Sequence, residues 1–142
     1  GLYRFDGMKW SDAWLLSSSK VNALAVAPDG AVWIGITSFE YLARWRGENE
    51  IVVWRCNDGD CTGYGNLDGV GSTSVESIAV ASDGMVWVGT SNGVSRFDGK
   101  AWVTYTTADG LANNQVSAVA IAPDGSLWFG TGGGVSRFAP RK

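Results

Sequence analysis

The stretch "IAPDGSLWFGTGGGVSRF" (121–138) decides the fold, because it is two short apolar runs closed by Gly-rich corners and its wording recurs upstream. "VNALAVAPDGAVWIGI" starts at Val21, "VESIAVASDGMVWVGT" at Val75 and "VSAVAIAPDGSLWFGT" at Val116, so the starts are 54 and 41 residues apart. The shorter interval falls in the range of about 40–45 residues that a four-stranded blade occupies, and the longer is that unit with insertions. Each unit turns a corner at Ala-Pro-Asp-Gly (27–30, 122–125) or Ala-Ser-Asp-Gly (81–84). Pro presets φ for the first corner position and Gly takes the left-handed one, which predicts a tight hairpin between a first strand A and a second strand B.

A third element follows. "GVSRFDG" (93–99), "GVSRFAP" (134–140), the looser "YLARWRG" (41–47) and "GLYRFDG" (1–7) share an Arg followed by an aromatic. A fourth reads "MKWSDAWLL" (8–16), "EIVVWR" (50–55) and "KAWVTYT" (100–106). The chain therefore parses as C-D, A-B-C-D, A-B-C-D, A-B-C, thirteen strands in all. The segments are 1–20 (strands C-D of a split blade), 21–55 (a blade) with a Cys-containing insertion loop over 56–74, 75–115 (a blade) and 116–142 (strands A-C of a blade).

Both faces of these strands are apolar: Val116, Ala118 and Ala120 alternate with Val119 and Ile121, and Trp128 alternates with Leu127 and Phe129. A two-layer sandwich leaves one face of each sheet polar, whereas sheets stacked around an axis bury both without helices. The expected fold is all-β: a β-propeller of four-stranded antiparallel blades, about three blade-equivalents per chain. Propeller rings have about 4–8 blades. Three cannot close one, so the ring is expected to be completed by other chains, with a six-bladed homodimer favoured, or by missing segments of a longer propeller. A structural repeat unit of a filament or designed assembly is a further alternative.

Composition narrows the function. The 142 residues are 45% hydrophobic with a formal net charge of −3, and the 11 Lys and Arg are scattered, so no nucleic-acid-binding stripe is expected. Apolar runs stay below about 10 residues, short of the ~20 of a membrane helix, and no membrane insertion is expected. The opening "GLYRFDG" lies in mid-pattern, as in a processed chain or one cut from something longer. The sequence has no His, the commonest general base and metal ligand. No catalytic residues and no cofactor are expected; Glu40 with Asp58 or Asp60 are the only acids an enzyme hypothesis could nominate. Asn57, Asp58 and Asp60 lack the spaced acidic ligands of a calcium loop, so no metal is expected.

Cys56 and Cys61 lie in the polar "RCNDGDCTGYGN". A short-loop disulfide fits there and favours an extracellular or periplasmic location; free thiols or metal ligation are the alternatives. Trp33, Trp87 and Trp128 recur at one blade position and are expected to pack between neighbouring sheets. Arg4, Arg44, Arg96 and Arg137 recur beside aromatics and are expected to act as structural donors or stacking groups between blades. A ligand site is expected where repeats differ. "ITSFEY" (36–41) and the segment 55–74 should rise on one rim, where Phe39, Glu40, Tyr41, Tyr64 and Asn66 combine aromatic faces with hydrogen-bonding groups suited to a saccharide or peptide.

The run "TTADGLANNQVSAVAIAPDGSLWFGTGGGVSRF" resembles the repeat of the two-component regulator propellers: a DG-Leu turn, an Asn before a Val-led strand, a DG hairpin, Leu-Trp-Φ-Gly-Thr and Gly-Φ-x-Arg-Φ, where Φ is apolar. The resemblance covers nearly the whole chain and is strongest over 75–138. It implies a periplasmic or extracellular sensor region that binds saccharides or other ligands. The similar "PDG-x-LWF" run of streptogramin-lyase propellers implies a catalytic His that this sequence lacks.

Overall fold

The computed structural model describes residues 2–13, 20–38 and 46–139. Their thirteen strands form four antiparallel sheets. β1 (Leu2–Phe5) and β2 (Trp10–Ala13) make a hairpin. β3 (Lys20–Val26), β4 (Val32–Thr37), β5 (Ile51–Asn57) and β6 (Asp60–Gly65) form the second sheet in sequence order. β7 (Val75–Val80), β8 (Val86–Thr90), β9 (Gly93–Phe97) and β10 (Trp102–Tyr105) form the third. β11 (Val116–Ile121), β12 (Leu127–Thr131) and β13 (Gly134–Phe138) form the last, with no fourth strand among the described residues.

The DG corners make these hairpins. Gly30, Gly84 and Gly125 hold φ of 84°, 87° and 81°. Each donates its N–H to the Ala three residues earlier at 2.9 Å. The corner Asp accepts the N–H two residues on, from Ala31, Met85 and Ser126. A β-bulge follows the first Val of each A strand, at Val21, Val75 and Val116.

Successive sheets stack with β3 against β7 and β7 against β11. The stacking explains the Trp-x-Gly spacing. Side chains alternate along a strand, so Trp33 and Gly35 share one face of β4, and Trp87 and Gly89 the same face of β8. A Cβ at Gly35 would run into Val75 of the next sheet, and one at Gly89 would meet Val116 and Val119. The missing side chain lets the next A strand approach while Trp fills the space beside it. Trp33 is 3% exposed and Trp87 6%.

The second sheet departs from the sequence parse. The strand paired with β4 is Ile51–Asn57, not 41–47, and "EIVVWR" is thus part of the third strand rather than the fourth. The fourth strand is Asp60–Gly65, inside the stretch assigned to an insertion loop over 56–74. The reason is a tight corner at Asp58 and Gly59, with φ of 47° and 91°, which folds "RCN" back on "DCT". Residues 66–74 then make the same connection to the next A strand that 107–115 make one sheet later, each through a 3-10 turn. The actual insertion is the B–C connection, 38–50. "YLARWRG" falls mostly outside the described residues, Arg44 with it.

Candidate functional site

Register identifies what each repeated side chain does. Trp33 lies opposite Arg55, Trp87 opposite Arg96 and Trp128 opposite Arg137. The cross-strand Arg of the second sheet is therefore Arg55, a residue absent from the expected set. Arg96 lies over the rings of Trp87 and Tyr105, at 5.9 and 5.8 Å, and its buried Nε has no acceptor among the described residues. Arg137 lies 5.6 Å over Trp128 and 3.6 Å from Asp124; Arg55 reaches Asp29 at 2.6 Å. Exposed pairs of this kind are screened by solvent and add little to stability. Arg4, opposite Ser11 in the first hairpin, is exposed.

Four turn carboxylates, Asp6, Asp29, Asp98 and Asp124, lie below the ordinary Asp range because hydrogen-bond donors stabilise the anion. Asp29 takes the Ala31 N–H and then Arg55, and Asp124 the hydroxyl and N–H of Ser126. Asp6 and Asp98 are lowered chiefly by the N–H groups of Lys9 and Ala101. These acids are caps of hairpins, occupied by their own backbone.

The outer strands repeat as well. Phe5 pairs with Trp10, Cys56 with Cys61 and Phe97 with Trp102. Phe97 and Trp102 stack at 5.0 Å, and Phe5 and Trp10 sit at 4.9 Å. The disulfide occupies the register that the aromatic pair holds elsewhere, linking two strands rather than closing a surface loop. Its loss through Cys56→Ser with Cys61→Ser is expected to lower stability by about 2 kcal/mol, the chain-entropy value for so short a loop. Urea unfolding with and without reductant measures it; an unchanged midpoint contradicts the role.

Trp33, Tyr64, Phe97 and Trp102 form one aromatic cluster between the second and third sheets, with Tyr64 and Trp33 stacked at 5.9 Å. Tyr64, expected in a ligand site, is thus packed between sheets. The same arrangement recurs one sheet on: Tyr105 stacks on Trp87 at 6.2 Å and Phe138 lies 6.0 Å from it. No described residue takes the place of Trp102 there. A cavity of about 330 Å³ occupies it, lined by Trp87, Tyr105, Leu111, Phe129 and Phe138 among others.

The two ends of the stack are uncovered. β9 and β13 both read Gly-Val-Ser-Arg-Phe, yet Val94 is 1% exposed and Val135 67%. Trp128, unlike Trp33 and Trp87, is 43% exposed, because no further sheet among the described residues lies against it. At the other end, Leu24 and Val26 are exposed where their counterparts Ile78 and Val80 are covered. Tyr3, Phe5 and Trp10 of the first hairpin are exposed too. The molecule therefore carries both halves of its own repeated interface, each without a partner among the described residues.

Phe39, Glu40 and Tyr41 lie outside the described residues. Asn66 is a loop staple: its Oδ1 accepts the Glu50 N–H at 2.7 Å. Asn57, Asp58 and Asp60 sit at the β5–β6 corner, and among the described residues no three His, Cys, Asp or Glu converge as metal ligands. No helix among them is long and apolar enough to cross a membrane.

Two segments, 69–92 and 110–133, match the family model for the two component regulator propeller. Each spans a D–A connection, an A strand, the DG hairpin and a B strand. No curated protein matches the chain. Among solved structures, the chain is similar to the extracellular domain of the hybrid two component system BT4673 of B. thetaiotaomicron, with a TM-score of 0.65 and 20% identity over 89% of this chain and 16% of that one. The corresponding domain of BT3049, from the same organism, gives 0.56 and 19% over 84% and 22%. Virginiamycin B lyase of Staphylococcus aureus gives 0.57 and 20% over 86% and 42%. At these identities the likeness is one of fold, and the chain spans less than half the length of each.

Proposed function

We propose, from the two component regulator propeller repeats that the chain carries, that it is a non-catalytic extracellular or periplasmic module whose two uncovered ends close on a second copy to complete a six-bladed ring. The carrying observation is the pentapeptide Gly-Val-Ser-Arg-Phe, buried in β9 and exposed in β13. Burying a large apolar side chain is worth about 1.5–3 kcal/mol. Trp128, Val135, Leu24, Val26 and Trp10 together offer an apolar surface that soluble monomers rarely leave open. A contact between unlike surfaces closes when rotation returns to the start.

In this ring the β1–β2 hairpin of one copy joins the last sheet of the other. β1 and β13 share Gly-Φ-x-Arg-Phe and compete for the third-strand place; Trp10 fills the empty aromatic socket whichever holds it. The extracellular reading is supported by the disulfide and by the sensor domains whose fold the chain shares. Those relatives also favour a second reading, a ligand-sensing part of a larger propeller.

Complementation separates the two. Trp10→Ala damages the leading end and Trp128→Ala the trailing end, so each variant alone is expected to dissociate. An equimolar mixture has one undamaged junction per pair and is expected to associate more tightly than either variant. Equal, monomeric sedimentation of wild type, variants and mixture contradicts closure.

A further inference from the structure

We infer that the cleft beside Glu50 is a binding site for a small organic cation, one carrying a primary ammonium group. The cleft lies between the second and third sheets, where the B–C and D–A connections emerge, and has a volume of about 570 Å³. Glu50, Asn66, Gly71, Ser72, Asn92 and Thr104 line it, with no Lys or Arg among its lining residues. Glu50 is brought here by the 38–50 insertion; the later sheets make this connection with tight turns at 91–92 and 132–133.

Glu50 is 4% exposed, and no hydrogen bond or ion pair to its carboxylate is found among the described residues. The turn aspartates, by contrast, each hold a backbone N–H. The carboxylate is not among the buried unpaired atoms, so its oxygens keep contact with the cleft, and a ligand that enters with N–H donors and a positive charge meets an anion that no donor among the described residues holds. The other polar groups are largely engaged with one another. Thr104 donates to Gly69 O, Asn92 Nδ2 to Gly71 O, and Ser72 is paired with Ser91.

The choice of ammonium over a metal follows from ligand supply. A calcium ion needs about 6–8 oxygens, whereas here one carboxylate faces carbonyls that already accept hydrogen bonds. The volume also suits an organic molecule, since such clefts run to about 300–1,000 Å³.

The probe is 2-aminoethanol, compared with its neutral counterpart ethylene glycol, each titrated into the full chain while the amide resonances of Gly71, Ser72 and Asn92 are followed. Saturable shifts with 2-aminoethanol and none with ethylene glycol at the same concentrations are expected. Glu50→Gln is expected to weaken 2-aminoethanol binding at least tenfold, and Glu48→Gln, whose residue does not line the cleft, to leave it unchanged. Equal behaviour of the two probes, or no saturable shift with either, overturns the inference whether or not Glu50→Gln folds. The outcome is independent of ring closure, which is read from mass.

Discussion

Trp33→Ala is expected to destabilise the protein by about 3–5 kcal/mol, the range for emptying a buried aromatic site, and this is enough to unfold much of a marginal domain. Trp33 stands at the centre of the cluster with Tyr64, Phe97 and Trp102, so the substitution removes three ring contacts and leaves a void between two sheets. Trp128→Ala makes the same chemical change at the same repeat position. It is expected to cost the chain's own fold under about 1 kcal/mol, because among the described residues no other sheet packs on that ring and Arg137 alone lies over it, while abolishing association. Denaturant unfolding at fixed protein concentration, read beside sedimentation, separates the two effects. Equal losses of fold stability would mean that the repeated Trp does not act through the following sheet.

Gly93→Ala carries the second large effect, about 2–5 kcal/mol. Gly93 has φ of 109°, a conformation that costs an L side chain about 1–2 kcal/mol. A Cβ there also collides with the Tyr105 carbonyl oxygen, so β10 must shift away from β9. Displacing a backbone in a packed sheet costs about a further 1–3 kcal/mol. Gly134, first residue of the identical pentapeptide, has φ of 123° and nothing within 4 Å of its notional Cβ. Gly134→Ala is expected to cost only the conformational part. Thermal melts of the two variants test this pairing; equal shifts in midpoint contradict it.

Much of the architecture was legible because the physics repeats. The DG corners need a left-handed Gly, and the Trp-x-Gly spacing needs one face of a strand, so both leave periodic marks at 27–36, 81–90 and 122–131. In the second sheet the repeated wording and the strand register part company. "YLARWRG" has an Arg beside an aromatic, but the Arg opposite Trp33 is Arg55, in a strand where Cys56 stands in place of Phe. Spacing carried the missed signal. Phe5 to Trp10, Cys56 to Cys61 and Phe97 to Trp102 are the same distance along the chain, since all close the same hairpin.

The same reasoning explains Tyr64. It follows Cys61 at the interval by which Tyr105 follows Trp102, and in both sheets the tyrosine ring stacks on the repeated Trp. Glu50 left no such mark. A lone acid before an apolar strand is indistinguishable from a solvated one until the connection around it folds and the neighbouring D–A segment walls it in. The Arg96 cation over two rings is half-legible in the sequence: its recurrence is plain, but the outer-strand Tyr105 that supplies the second ring is not.

The absolute mass of the wild-type chain by light scattering coupled to size exclusion, across a micromolar dilution series, tests ring closure most directly. The account predicts about 30 kDa, twice the 15.0 kDa of one chain, falling towards half on dilution. A species of 15 kDa at every concentration, with a cooperative melt, would contradict it.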